Sequence, residues 1–596
     1  MRVILILFGL GLLFFGGALA YIETHKPLWE KRASFMIEKA KDAGRSLDNW
    51  EKIQQQYDES FPPHYPFNKG ARIIDGLTDL LELQNELPKL EISPNATIVP
   101  YSDIEAYILL GKKTQYRLKN LYRELDKFPL WGLNEGQKEK FHSYFDALEQ
   151  LIQHSRMITV LEEVYKDLKK HNKNIVILLQ NNNEIRSTGG FGGSLLILDF
   201  QENGVGVSFR DIYSIDRLVS IEDQIPAPEF FHSLSKTISL RDANFWPDFP
   251  TSARTYQKFF SDAGLEVPSI FAVVNLNLVR EWVKITGPIT IPKWKTTLNE
   301  YNFDLVLQFL VESKITGRWS PKAPVEMFLF EMIKRTRRTD DFAKRLVSEI
   351  NWKKFQEQKN ILAYSNYPKL NKLFERFHLD GILEFHPQSD NQLYFDFISV
   401  GANKSDKFMW NKIEHNSNID RDGNVKNTLK IKRSHSLRPG ELEQIIGLDQ
   451  WPENVKNLID GTLRWKLGGG ENRTVLRITV PKTAQLIRSE IPYSSLTEAE
   501  GQTPETKQWI IPLNILPTES KEVFLEYETK IKRGSTSWRP YFLHLVGTPS
   551  IDRTKFLSTI TAPNGSQFEA MTDNIGIPVP LTNQQLRTII RIPKEY

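Results

Sequence analysis

The chain has 596 residues with 77 basic and 73 acidic side chains, and a formal charge of +4 is too close to neutral over that length for a nucleic-acid surface. It contains no cysteine, which excludes disulfides, thiolate metal sites and thiol nucleophiles. Apolar residues make up 40% and charged residues 25%, the balance of a folded protein, and the length allows about three or four folded units.

From Val3 to Ile22 the sequence VILILFGLGLLFFGGALAYI runs without a charge. At about 1.5 Å per residue it spans the roughly 30 Å hydrocarbon core of a bilayer. Residues 1–24 are therefore expected to form a transmembrane anchor, which makes the chain a single-pass protein of the cell membrane with its bulk outside the cytoplasm. Ala18-Leu19-Ala20 also has the small-x-small form of a signal-peptidase site, so a cleaved export signal is the alternative. Residues 25–170 read as a juxtamembrane helical bundle. In FHSYFDALEQLIQHSRMITVLEEVYKDL, apolar residues such as Phe141, Phe145, Leu148, Leu151, Ile158, Leu161, Tyr165 and Leu168 recur at mostly helical spacing. Similar patterns cover 28–57, 71–90 and 102–127.

After KKHNKN the period changes. Ile175 to Leu179, Leu195 to Phe200 and VGVSF read as core strands. SIFAVVNLNLVREWVKITGPITIP reads as strand, helix, turn and strand, with helical patterns from about 299 to 360. Residues 171–390 are thus expected to form an α/β domain. From 391 to 596 the stretches NTLKIKRSHSL, GTLRWKL, TVLRITVP, KEVFLEYETKI, YFLHLVG and LRTIIRIP suggest a β-sandwich. The expected class is a multidomain α/β plus all-β protein. NIDRDGN reads as a hairpin turn, because the twelfth position of a calcium loop would fall on Leu429.

The polar segment NNNEIRSTGGFGGSLLILDF, residues 181–200, separates two of the strands. Gly189 and Gly190 would let backbone N–H groups approach an anion. No Lys-Ser or Lys-Thr follows the glycines, and SLLILDF reads as strand rather than helix, which excludes the usual nucleotide motifs. Asn183 and Glu184 would orient neighbouring groups, Arg186 offers a planar cationic fork, and Ser194 begins the next strand. Arg210-Asp211 ends the third strand, and RDANFWPDFP supplies Arg241, Asp242, Asp248 and Trp246, the last a stacking face for sugars. Three arginines at one sheet end would suit a diphosphate, and carboxylates beside them a hard divalent cation, with Mg2+ the candidate cofactor and Asp211 its ligand. Asp211 or Asp248 would serve as general base. The alternative is a wide structural connection shaped by the asparagines and glycines, in which Glu184 and Arg186 are solvated or pair with each other. Zinc-protease and serine-hydrolase signatures are missing from the sequence.

NNNEIRSTGGFGGS, RDANFWPDFPTSA, VNLNLVREWVKITGPITIP, NKIEHNSNIDRDGNVKNTLKIK and ENRTVLRITVPKTAQL resemble the bacterial family catalogued as domain of unknown function 4012. That resemblance implies a membrane-anchored cell-surface protein and no established activity. More distantly, NIVILL, the Arg186 loop, SLLILDF and VGVSFRDIY are similar in order to the LytR-CpsA-Psr transferases, which move glycopolymers from a polyprenyl diphosphate carrier to the cell wall. This likeness implies diphosphate or metal binding by Arg186, Arg210 and Asp211, although Thr188 stands where that family places an Asp. Two functions follow as expectations. One is an envelope protein that binds or processes a phosphate-linked glycan or lipid carrier as a glycopolymer transferase. The other is a non-catalytic envelope scaffold or binding protein.

Overall fold

The computed structural model describes residues 98–126, 135–317, 321–339, 345, 349–350, 358–383, 391–420, 422–491, 496–530, 543–547, 553–561, 567–571 and 584–586. The apolar run at Val3–Ile22 and the helices expected at 28–57 and 71–90 lie outside them. No helix among the described residues is long and apolar enough to cross a membrane. The chain divides into two compact units, one of residues 1–173, 198–207 and 340–352, the other of 174–197, 208–339 and 353–596.

In the first unit, β1 (Ile98–Val99) lies antiparallel to residues 205–206, followed by α1 (Tyr101–Asp126), α2 (Glu135–Ser155) and α3 (Met157–Lys170). α1 turns Ile104, Ile108, Leu118 and Leu121 inward. Tyr165 of α3 donates to Glu105 at 2.7 Å. The helix read through 141–168 is interrupted at Arg156. The Ser155 hydroxyl donates to the Ile152 carbonyl, which also accepts the Arg156 amide, a competition that bends helices.

The second unit holds two architectures. Its mixed sheet uses β2 (Asn174–Asn181), β3 (Phe191–Gln201) and β4 (Gly204–Asp211), the last two running on into the first unit. α4 (Phe249–Asp262) then lays Phe249, Ala253, Tyr256, Phe259 and Phe260 over Val176, Leu178, Leu195 and Ile197. β5 (Ile270–Asn275) runs parallel to β2, Ile175 facing Ile270. α5 (Leu276–Thr286) stops at Gly287, whose φ of 77° favours glycine. α6 (Phe303–Glu312) and α7 (Ala323–Arg338) follow, and β6 (Ile361–Ser365) closes the sheet antiparallel to β5.

The second architecture is a pair of six-stranded sheets that share one core. One contains β7 (Asn391–Ser399), and the other pairs β8 (Met409–Ile419) with β9 (Asn424–His435) through a hairpin at Asp420–Gly423. β10 (Asn472–Pro481) and β11 (Thr506–Ile515) extend the first sheet, while β12 (Ser520–Lys530) and β13 (Thr554–Thr561) extend the second. Phe395, Phe397, Leu476 and Trp509 from one sheet meet Ile413, Leu429, Leu525 and Phe556 from the other, as in a sandwich. GTLRWKL departs from its strand expectation. Asp460 accepts the Leu463 amide at 2.7 Å and caps a helical turn at Gly461–Arg464.

β7 is buried at every position because both faces of its sheet are covered. Leu393, Phe395 and Phe397 face the sandwich core, whereas Ile398, with Val475 and Ile510, packs against Phe231, Ile238 and Phe245 of the segment leading into α4. The α/β portion and the sandwich therefore share a continuous interior, and the polar 181–190 loop lies in it.

Candidate functional site

The loop between β2 and β3 is folded back on itself by main-chain bonds. The amide of Glu184 donates to the Asn181 carbonyl, that of Gly189 to Arg186 and that of Phe191 to Glu184, at 3.1, 2.8 and 2.8 Å. Gly189 takes φ 128°. A Cβ on Gly190 would stand 2.5 Å from the Asn181 carbonyl carbon, so this glycine is required by close backbone approach. The Gly190 carbonyl accepts from Asn244 at 2.6 Å.

Arg186, expected at an open anion site, is only 1% exposed. Its Nη2 donates to Glu184 at 2.9 Å and to Asp242 at 3.4 Å, and its Nη1 to the carbonyls of Ser399 at 3.0 Å and Ile185 at 3.2 Å. The Phe191 ring lies 5.3 Å from the guanidinium. Glu184 also holds Lys404. Burial pushes the Glu184 carboxyl up, but Lys404 and Arg186 outweigh it and hold the group below the usual range. Burial raises Asp242 against the pull of Arg186 and Arg241. Arg186 itself loses stability as a cation through burial, yet Glu184 and Asp242 more than restore it.

Three further buried ion pairs fasten the same loop. Asp406 accepts the Ile185 amide at 2.9 Å through one oxygen and Arg433 at 2.6 Å and Asn472 at 3.0 Å through the other. Ser187 Oγ lies 2.6 Å from the Phe245 carbonyl and 2.9 Å from Asp396, and it accepts from Arg477, which itself pairs with Asp396. Asn183 donates to Asp304 at 3.0 Å, and Asp304 holds Lys407 at 2.5 Å. Burial would raise Asp304, but Lys407 and Arg280 keep it low.

The other expected residues divide between this network and the surface. Arg241 joins it at the rim, paired with Asp216 and 3.5 Å from Asp242. Arg210 is exposed at the end of β4. Asp211 caps the short helix Ile212–Asp216 by accepting the Tyr213 amide at 3.2 Å. Asp248 caps α4, accepting Thr251 N at 3.0 Å, and receives the Leu383 amide at 3.1 Å. Trp246 packs on Phe245 at 5.6 Å, and Ser194 is buried within β3. Among the described residues no group of three His, Asp or Glu side chains gathers, and the Asp211 carboxylate is engaged by the Tyr213 amide. The loop's charge is consumed by internal carboxylates, with Arg186 paired to Glu184 and Asp242 in the interior rather than solvated.

Asp304, Asp396, Lys404, Asp406, Lys407, Arg433 and Arg477, which complete the network, are not among the candidate site residues that the sequence singles out. A signal existed for Arg433. In β9 the inward series Val425, Asn427, Leu429, Ile431, Arg433, His435 places a guanidinium in an apolar register.

Residues 170–312 match the family model described as a protein of unknown function, DUF4012, which supports the family expected from these motifs. No curated protein matches the chain. Among solved structures, a putative nutrient binding protein of Legionella pneumophila is similar at 6% identity and TM-score 0.19, over 30% of this chain and 55% of that one. The Lin1025 protein of Listeria innocua is similar at 9% identity and TM-score 0.21, over 37% of this chain and 86% of that one. At these scores neither likeness bears on the chemistry.

Proposed function

We propose that this chain is a non-catalytic binding or scaffolding protein of the bacterial cell envelope, tethered by its apolar N-terminal run. In it the Gly-rich loop is an internal strut rather than a carrier-diphosphate site. The observation that carries the reading is the state of Arg186, enclosed and neutralised by Glu184 and Asp242. A phosphate would have to displace both carboxylates and then bring its own charge into the interior, and desolvating an ion costs several kcal/mol or more. The distant transferase resemblance relies on Arg186, Arg210 and Asp211 acting together, whereas Arg210 is exposed, Arg186 is enclosed and Asp211 is a helix cap. The membrane tether rests on the charge-free length of Val3–Ile22 and on the motif resemblance.

The test is native mass spectrometry of the full chain extracted in detergent, beside thermal unfolding of Arg186→Ala. The proposal expects no co-purified lipid diphosphate and a large loss of stability in the variant. A stoichiometric lipid diphosphate that Arg186→Ala releases without lowering the melting temperature would restore the carrier-binding reading.

A further inference from the structure

One cation beside the loop is left over. Lys322, at the start of α7, places its ammonium 3.0 Å from where a Cβ on Gly193 would stand. Glycine at this position of β3 gives the amine its seat on the strand. The neighbouring carboxylates are already engaged: Glu184 by Arg186 and Lys404, Glu312 by Lys466 and Gln308, and Asp211 by the Tyr213 amide. Among the described residues Lys322 forms no ion pair and no side-chain hydrogen bond. Burial pushes its amine down and Lys404 adds to that, with Asp211, Glu312 and Glu184 opposing from a distance. An incoming anion would relieve this cost.

The surroundings are shaped for an organic ligand rather than a bare ion. Phe191 lies two residues before Gly193, and its ring is 6.4 Å from that of Tyr213, which is 40% exposed. The Arg241 guanidinium stands 5.7 Å from the Tyr213 ring. The two rings, tilted by 41° to each other, form an aromatic wedge beside an ammonium that has no ion pair among the described residues, which suits a carbon skeleton that carries a single charged group.

We propose that Lys322, seated on Gly193 beside Phe191 and Tyr213, anchors a site for a small organic anion bearing one carboxylate or phosphate group. This goes beyond the scaffold reading and needs neither the tether nor the envelope. The ammonium supplies a charge-assisted hydrogen bond, and the ring pair receives the ligand's apolar face. Gly193 keeps the amine in place.

The experiment is calorimetric titration of the full chain in detergent with glucuronate, glucose 1-phosphate and uncharged glucose, repeated on Lys322→Met and Gly193→Ala. Thermal unfolding serves as the folding control. The proposal expects glucuronate or glucose 1-phosphate to bind, glucose not to bind, and Lys322→Met to weaken binding by about tenfold or more at unchanged stability. Gly193→Ala should weaken it as well, because the added methyl displaces only the far end of a flexible side chain. Binding of glucuronate alone identifies a carboxylate site, and binding of glucose 1-phosphate alone a phosphate site. Failure of both, equal binding of glucose, or equal affinity in Lys322→Met overturns the proposal. Should Lys322→Met fail to fold, acetylation of Lys322 in the wild-type chain, read by peptide mass spectrometry, decides. Several-fold protection by glucuronate or glucose 1-phosphate supports the site, and no protection overturns it.

Discussion

Removing Arg186 would leave Glu184 and Asp242 in the interior without their shared cation, and breaking a buried pair on one side costs about 3–5 kcal/mol. Arg186→Ala should lower the unfolding free energy by that order in urea titrations, with Arg186→Lys recovering only part, because an ammonium cannot reach two carboxylates and two carbonyls in one plane. The glycines supply a paired contrast. Gly190→Ala forces a methyl against main chain and should cost about 1–3 kcal/mol or more, whereas Gly193→Ala meets a lysine tip, with the Phe191 ring at ordinary contact distance, and should be nearly neutral. His415 gives a pH signature. Its ring is enclosed between the sandwich sheets, 3.0 Å from Ser558 and 3.3 Å from Ser417, and burial pushes it down from 6.5 to about 4. A depressed histidine contributes stability that is complete above about pH 6.5 and is lost as pH falls toward 4, by up to about 3 kcal/mol. His415→Gln should flatten the pH dependence of unfolding across that window, and an unchanged slope would assign the loss to other groups.

At the scale of elements, Asp406 ties the β2–β3 loop to the sandwich, accepting the Ile185 amide on one oxygen and Arg433 on the other. Asp406 and Arg433 should therefore couple by more than about 1 kcal/mol in a double-mutant cycle measured by denaturation, and additive effects would show that the two bonds act independently. The strands were legible where pattern decides them. Ile175 to Leu179 and Leu195 to Phe200 lie within β2 and β3, and the Gly turn at 287 separates α5 from the next strand. Period failed at GTLRWKL, where a capping Asp460 outweighs β-propensity. The site was half legible. Local sequence sets Glu184 and Arg186 two residues apart and leaves solvation, pairing and anion binding open, because their enclosure depends on Lys404 and Ser399, more than 200 residues away, and no local pattern encodes which groups a sheet brings to a loop.

For the molecule as a whole, the second unit holds the sandwich together with the 174–197 and 270–275 segments of the mixed sheet, joined by Arg186, Asp406 and the Asp396–Arg477 pair. They should lose structure in one transition. Trp282 of α5 and Trp509 of β11, read singly by fluorescence in variants that retain one or the other, should report the same denaturant midpoint. Separated midpoints would mean that the loop does not couple the two. Residues 183–191 form a buried strut between the two. Hydrogen exchange of the full chain, followed by mass spectrometry on peptides across this loop, tests it most directly, because the amides of Asn183, Glu184, Ile185, Gly189 and Phe191 are all bonded internally. These amides should exchange as slowly as those of β2; exchange within seconds, slowed only by an added diphosphate, would instead mean an open anion-binding loop.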